Sequence, residues 1–472
     1  MINKFREIPP QKIFLVIGII FGIIFLIVTP PFQVPDEEVH FYKAYTLSEG
    51  MLTPEKVGNE TGYYVSQSLL YDTQKFRYLR FQPEHKVKTN SIIFSLETPI
   101  NSNNLVFLDY HNVGVPIPIA YPPIPYIIPA LAMGLISFIV NPSVLFLMYI
   151  GRLVNLLVWA ILIYLAIKIT PVHKWVFVLL ALMPMTLFQA ASLSVDSFTM
   201  GICFLTIAFI FKLSFKENNI NKKDILILLI FTLLITLSKP GYVIILMALL
   251  MIPIVKFRSK AKKLILLMLV PLTAFISNKV WNSLLVLDTT TGGSGRHNSF
   301  YSIIADPINF INIVINTINL KFNFYLVTFV GKFGWLDTPL ALKTSIAVYL
   351  AGIYLGIIIL TALIDKNKLN VSLKQKIIAF STTALLAILI FVSQYTSWTA
   401  KGATIIEGVQ GRYLLPLTPL IFIILYNNKD KISIKGKKIN LSPKNISLLV
   451  IPVVLVYLTV SVFTIISRFY LT

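Results

Sequence analysis

The chain has 472 residues, 56% of them hydrophobic and 13% charged, with a mean hydropathy of +0.78. A water-soluble domain of this size has no use for so much apolar surface, so the composition excludes a soluble enzyme and indicates an all-α polytopic membrane protein. The net charge of +21 does not indicate nucleic acid, because 22 of the 41 Lys and Arg fall in five clusters, at 4–12, 212–223, 256–263, 366–376 and 429–444, each bordering an apolar run. That distribution is expected of cytoplasmic loops under the positive-inside rule, in contact with anionic headgroups. The single cysteine, Cys203, lies inside an apolar run, which rules out an intrachain disulfide and fits a small buried side chain.

Runs long enough to span a bilayer core recur in chain order at 13–29, 116–140, 143–168, 174–192, 196–214, 224–238, 241–255, 264–287, 343–364, 377–396, 412–427 and 446–467. A shorter apolar stretch, Phe322 to Trp335, is a candidate for embedding without crossing, and 11 to 13 helices are expected in one transmembrane domain spanning residues 1–472. The first run has no small-residue cleavage site and reads as a retained helix. With the N-terminus inside, residues 30–115 form a large external loop that carries 10 of the 20 acidic residues. Within it, Ser66 to Phe81 mixes apolar and basic residues as short amphipathic helices do. A second external loop is expected over 288–343, containing the Gly and Ser-rich "TTTGGSGRHNS" with Arg296 and His297, and a third over 399–411. Four runs separate the first loop from the basic cluster at 212–223, where an odd number of crossings is required. One run is therefore expected to be half-spanning or re-entrant, within the proline-interrupted 116–192, where its backbone must be buried in protein or face water.

Against this layout the polar residues at helix ends stand out. "PPFQVPDEEVH" sets Asp36, Glu37, Glu38 and His40 directly after the first helix. They either cap a following helix or supply a general base or divalent-cation ligand at the membrane face. Asp196 in "ASLSVDSF" is a helix cap or a functional intramembrane carboxylate. Lys239 in "LSKPGY" is a snorkelling lysine or a phosphate partner. Arg152 in "YIGRLVNLL" reads as an inner-side anchor. Glu407, Arg412 and Tyr413 belong to "IIEGVQGRYLLPLTPL", where Gly408 and Gly411 permit close approach of backbone or ligand and Arg412 suits phosphate oxygens. "AYPPIPYIIP" adds tyrosines suited to the interface. Signatures of phosphate loops, zinc proteases, dithiols and serine hydrolases are absent from the sequence.

The sequence order "PPFQVPDEEVHF", "YPPIPY", "ASLSVDS", "LSKPGY", "GVQGRYLLPLTPL" resembles a family of bacterial polytopic membrane proteins placed in the GT-C glycosyltransferase superfamily. The resemblance implies an inverting glycosyltransferase that moves a sugar from a polyprenyl-phosphate donor to a polysaccharide or teichoic-acid-like acceptor on the extracytoplasmic face. It also implies that Asp36 is the catalytic carboxylate with Glu37 as its rival and that Asp196 is the second acidic position. Arg412 and Lys239 would hold the donor phosphate, with His40, Glu407 and Tyr413 as further substrate-binding residues. The DxD spacing of metal-dependent members is lacking, which leaves the use of Mg or Mn open. The alternatives are a flippase for lipid-linked saccharide and a polysaccharide polymerase or ligase. Clustering of acids and cations at helix ends, away from the bilayer midplane, favours catalysis over transport.

Overall fold

A computed structural model describes residues 8–471 apart from 59, 102, 109–120, 217, 286–297, 366–368, 429–431, 435–436 and 440–442. Arg296 and His297 lie outside the described residues, as do Pro116 and Pro118. Among the described residues the protein is all-α apart from short antiparallel strands, and eight helices are long and apolar enough to cross a membrane. The path of the chain follows from what the two ends of each helix touch.

Helix α1 (Pro10–Val28) brings its C-terminal carbonyls to Arg152 and leads into α2 (Glu37–Ser48). A three-stranded sheet follows, of β1 (Glu55–Val57), β2 (Glu60–Ser66) and β3 (Leu105–Leu108), with short helices between the last two strands. The stretch Ser66 to Phe81, expected to form short amphipathic helices, contains the end of β2, helix α3 (Gln67–Gln74) and one 3-10 turn. Its arginines are held inward: both Arg77 and Arg80 bind the buried Glu38 carboxylate, and Arg80 stacks on Trp335 at 3.8 Å.

Helix α4 (Ile127–Ile139) corresponds to the expected run at 116–140, but it does not cross. It starts beside His40, which Tyr126 contacts, and ends just before Pro142, whose carbonyl accepts from the Ile100 amide of the same loop region. Both of its ends therefore lie at one end of the bundle, an arrangement compatible with one run between 116 and 192 that does not cross. Helix α5 (Val144–Ile169) then runs to the opposite end. The return passage, 174–192, is broken by Pro184 into α6 (Lys174–Ala181) and α7 (Pro184–Ala190), whose interruption is enclosed by protein. Helix α8 (Val195–Phe215) goes back, and it is so enclosed that Cys203 is fully buried.

Helix α9 (Lys222–Thr236) returns to Lys239, and a twelve-residue 3-10 helix, Pro240–Met251, descends again. At about 2.0 Å of rise per residue a 3-10 run reaches further than an α-helix of equal length, which lets this short segment meet Gln375 at the Met251 carbonyl. Helix α10 (Lys260–Leu284) ascends. Helix α11 (Pro307–Val330) lies within the second expected external loop and absorbs Phe322 to Val330. Although α11 has the length to cross, it connects the ascending α10 to α12 (Thr344–Ile364), which begins at the same end: the Ala341 amide bonds Thr464 beside the first loop. It therefore lies along that end. Helix α13 (Leu373–Ser397), the segment Gly411–Ile423 and α14 (Pro443–Phe469) complete the path. Among the described residues, shorter apolar helical segments at Ile124–Ile139, Pro240–Met251 and Gly411–Ile423 accompany the eight long ones.

Three of the basic clusters meet at one end, where Lys256 bonds the Lys216 carbonyl, Gln375 the Met251 carbonyl and Lys376 the Tyr426 carbonyl. Asp36, Asp196, Lys239 and Arg412 lie at the other.

Candidate functional site

Four helix ends converge on a cavity of about 460 Å³ lined by Asp36, His40, Asp196, Lys239, Arg412 and Tyr413, among others. Asp36 precedes α2 in a left-handed conformation (φ 66°) and makes no side-chain cap bond, so helix capping does not occupy its carboxylate. Its side chain is 57% exposed, with one oxygen 3.6 Å from Arg412 Nη2. Asp196 is not the cap of α8, because Ser194 takes that role; it sits in the first turn, where the helix dipole favours an anion. Its two oxygens are divided between cations: Lys239 Nζ bonds Oδ1, and Arg412 Nη1 donates to Oδ2 at 3.2 Å. Arg412 also donates from Nε to Gln410 Oε1 at 2.5 Å, and both cations lie near the Tyr413 ring.

Local sequence explains how Arg412 is delivered. Gly411 has no room for a side chain: a Cβ would stand 2.1 Å from the Tyr325 carbonyl oxygen, and its amide donates to Thr328 Oγ1 at 2.9 Å. Gly408 takes φ 80° against Trp398, a conformation that glycine adopts without a Cβ penalty. The glycines serve approach of backbone to backbone, which fixes the arginine at the cavity. On the other wall, Pro240 opens the 3-10 helix directly after Lys239, and Tyr242 donates to the Tyr413 carbonyl at 2.8 Å, tying the two cationic segments together.

His40 lies one helical turn beyond Asp36 and is 4% exposed, with Nδ1 2.7 Å from the Tyr126 hydroxyl. Burial is the main cause that lowers its pKa to about 4, against the opposing pull of Asp36 and Asp196, so the ring is neutral near pH 7. Lys43, a turn further, faces the rings of Tyr63 and Trp281, and burial lowers its ammonium to about 8.

Two expected site residues point elsewhere. Glu37, the expected rival base, is fully buried against Arg152, which donates to its two oxygens at 2.7 and 2.6 Å, while the Leu193 amide donates at 3.1 Å. Arg152 is accordingly no inner-side anchor: it joins α5 to the end of α1, also serving the carbonyls of Leu26, Thr29 and Pro30. Glu407 bonds Lys321 at 2.6 Å with its side chain half exposed and is not part of the cavity wall. Sequence reasoning also missed Tyr126, Tyr242 and Trp281, which were indistinguishable from interfacial aromatics. For Glu37 there was a signal: an arginine inside a long apolar helix requires a buried carboxylate.

No group of three or more His, Cys, Asp and Glu is arranged to hold a metal among the described residues. Asp196 is already shared by two cations, so the donor set fits a divalent ion poorly. The arrangement suits an anionic ligand at Lys239 and Arg412 beside an open carboxylate.

A family model described as "Predicted membrane protein (DUF2142)" matches residues 19–421. The chain belongs to the DUF2142 family. The match covers the cavity residues of this DUF2142 protein from Asp36 to Tyr413. No curated protein and no solved structure matches it.

Proposed function

We propose that this DUF2142 protein is an inverting glycosyltransferase using a polyprenyl-phosphate sugar, with its cavity on the extracytoplasmic face and a cell-surface glycan or polymer as acceptor. The observation that carries the reading is the meeting of an open carboxylate, Asp36, with Lys239 and Arg412 in one cavity. The basic clusters bordering apolar runs support this sidedness under the positive-inside rule. A second support is an apolar groove of about 520 Å³ lined by residues that include Leu233, Leu237, Ile276, Val280 and Trp281. Trp281 also lines the charged cavity, so an isoprenoid chain in the groove would place its phosphate there.

The charge arithmetic suits this chemistry. Lys239 and Arg412 offset Asp36 and Asp196, giving a cluster with no formal net charge. Asp36 accepts the proton as the acceptor oxygen attacks the anomeric carbon, and the bond from that carbon to the phosphate oxygen breaks. The cluster then carries one positive charge as the leaving phosphate gains one negative charge. Preorganised cations facing a developing anion lower the barrier. A single carboxylate and a single displacement invert the anomeric centre without a covalent intermediate. Asp196 positions the two cations and is not free to take the proton.

Liposomes containing purified protein and radiolabelled polyprenyl-phosphate sugar test the reading. Label transferred to an added acceptor supports it. Label that changes leaflet without leaving the lipid contradicts it and favours a flippase.

A further inference from the structure

A second cavity, of about 510 Å³, lies on the other side of the α13 terminus. Ser393 and Gln394 line the charged cavity, whereas the next residue, Tyr395, lines this one together with Asn298, Asn309, Asn312, Asn316 and Thr404. Among the described residues its wall contains no charged one, in a chain of net charge +21. The asparagines belong to a longer pattern, for α11 carries Asn309, Asn312, Asn316, Asn319 and Asn323 at alternating spacings of three and four. This spacing sets them on one helical stripe. All five are exposed, while Phe310, Ile313 and Thr317 bury a neighbouring face and Ile308, Ile311, Ile315 and Phe322 expose an apolar one. A helix lying along the membrane face has an apolar side in lipid, a side buried on protein and a polar side toward water that is usually rich in Lys and Arg; here that polar side is a stripe of uncharged amides.

The amides are placed for a ligand. Asn316 donates to the Thr404 carbonyl and Asn298 to those of Thr399 and Ala400, which fixes the facing loop. Thr317 and Thr328 of the same helix hold that loop at Ile406 and Gly411, so it leads from the neutral cavity directly to Arg412. Asn309 and Asn312 are exposed and line the cavity. Tyr395 is 6% exposed and packs edge-on against Phe310 at 5.1 Å, a rigid aromatic wall. Amides that both donate and accept, beside an aromatic ring and without charge, match vicinal hydroxyls on a saccharide.

We infer that the asparagine cavity binds a neutral saccharide, and that this is the acceptor segment presented to Asp36. The second part rests on the transferase reading; the binding itself does not. The test uses the full chain in nanodiscs against maltohexaose, mannohexaose and chitohexaose, with hexagalacturonate as the anionic comparison. At least one neutral oligosaccharide is expected to bind. Asn309→Leu/Asn312→Leu should weaken that binding about tenfold, the effect of losing one or two ligand hydrogen bonds, with Gly352→Ala, which meets open space, leaving it unchanged. Binding of hexagalacturonate alone, binding of no saccharide, or undiminished binding by the asparagine variant overturns the inference. If neutral saccharide binds as stated but no sugar is transferred from polyprenyl phosphate, the transferase reading fails and the saccharide site stands.

Discussion

Replacing Glu37 by Gln separates a structural carboxylate from a catalytic one. In the native protein the Glu37 carboxylate and the Arg152 guanidinium are both 0% exposed, and five donations from Arg152 satisfy Glu37 and three carbonyls. Glutamine preserves shape and removes the charge, which leaves a buried cation without its counterion. Breaking a buried pair in this way costs about 3–5 kcal/mol. Arg152→Met costs a similar amount by a different route, since it leaves Glu37 unpaired and strips the carbonyls of Leu26, Thr29 and Pro30 of their donor. The double variant Glu37→Met/Arg152→Met should recover only the charge component, and a double-mutant cycle isolates it. The assay is thermal unfolding in detergent followed by size exclusion, with transfer normalised to folded protein. Glu37→Gln is expected to unfold at distinctly lower temperature while the folded fraction keeps its turnover. A variant as stable as the parent but without turnover would refute the reasoning and return Glu37 to the reaction.

The remaining predictions concern the cavity. The folded His40 pKa of about 4 lies below its ordinary 6.5, so the unfolded chain takes up the proton first as pH falls. Between pH 6.5 and 4 this residue should remove about 3 kcal/mol of stability, and His40→Gln should flatten that part of a stability profile; an unchanged slope contradicts the assignment. Arg412→Lys keeps the charge and loses the planar fork, so KM for the lipid donor should rise about tenfold, by the loss of one charge-assisted hydrogen bond. A KM within twofold of the parent argues against phosphate contact there. Gly411→Ala forces a Cβ onto the Tyr325 backbone and should displace Arg412, with donor affinity lost, whereas Gly352→Ala meets open space. Equal behaviour of the two variants in a donor-binding assay would count against the proposed delivery of Arg412.

The gross layout was legible because it depends on short-range patterns. Apolar length and clustered lysines set the passages and the basic end, and each of Asp36, Asp196, Lys239 and Arg412 stood out as a polar residue at an apolar helix end. Their meeting in one cavity is a property of packing among distant segments, 216 residues apart in the case of Asp196 and Arg412 and farther still for Asp36 and Arg412. Pairing decided the fate of the neighbouring acids. Adjacent residues on α2 point in different directions, so Asp36 reaches the cavity while Glu37 and Glu38 are taken by Arg152 and by Arg77 with Arg80. Hydropathy alone also could not distinguish α4 and α11, which lie along one end, from helices that cross. The asparagine stripe of α11 was present in the sequence, and it gains meaning only once the helix is known to border a cavity.

On the proposed reading Asp36 removes the acceptor proton, which single-turnover transfer from polyprenyl-phosphate [14C]sugar by Asp36→Asn probes, with donor binding measured in parallel. Folded Asp36→Asn protein is expected to bind donor about as well as the parent and to transfer at least about a hundredfold more slowly, the usual contribution of a positioned general base. Transfer by Asp36→Asn at the parental rate would contradict this reading.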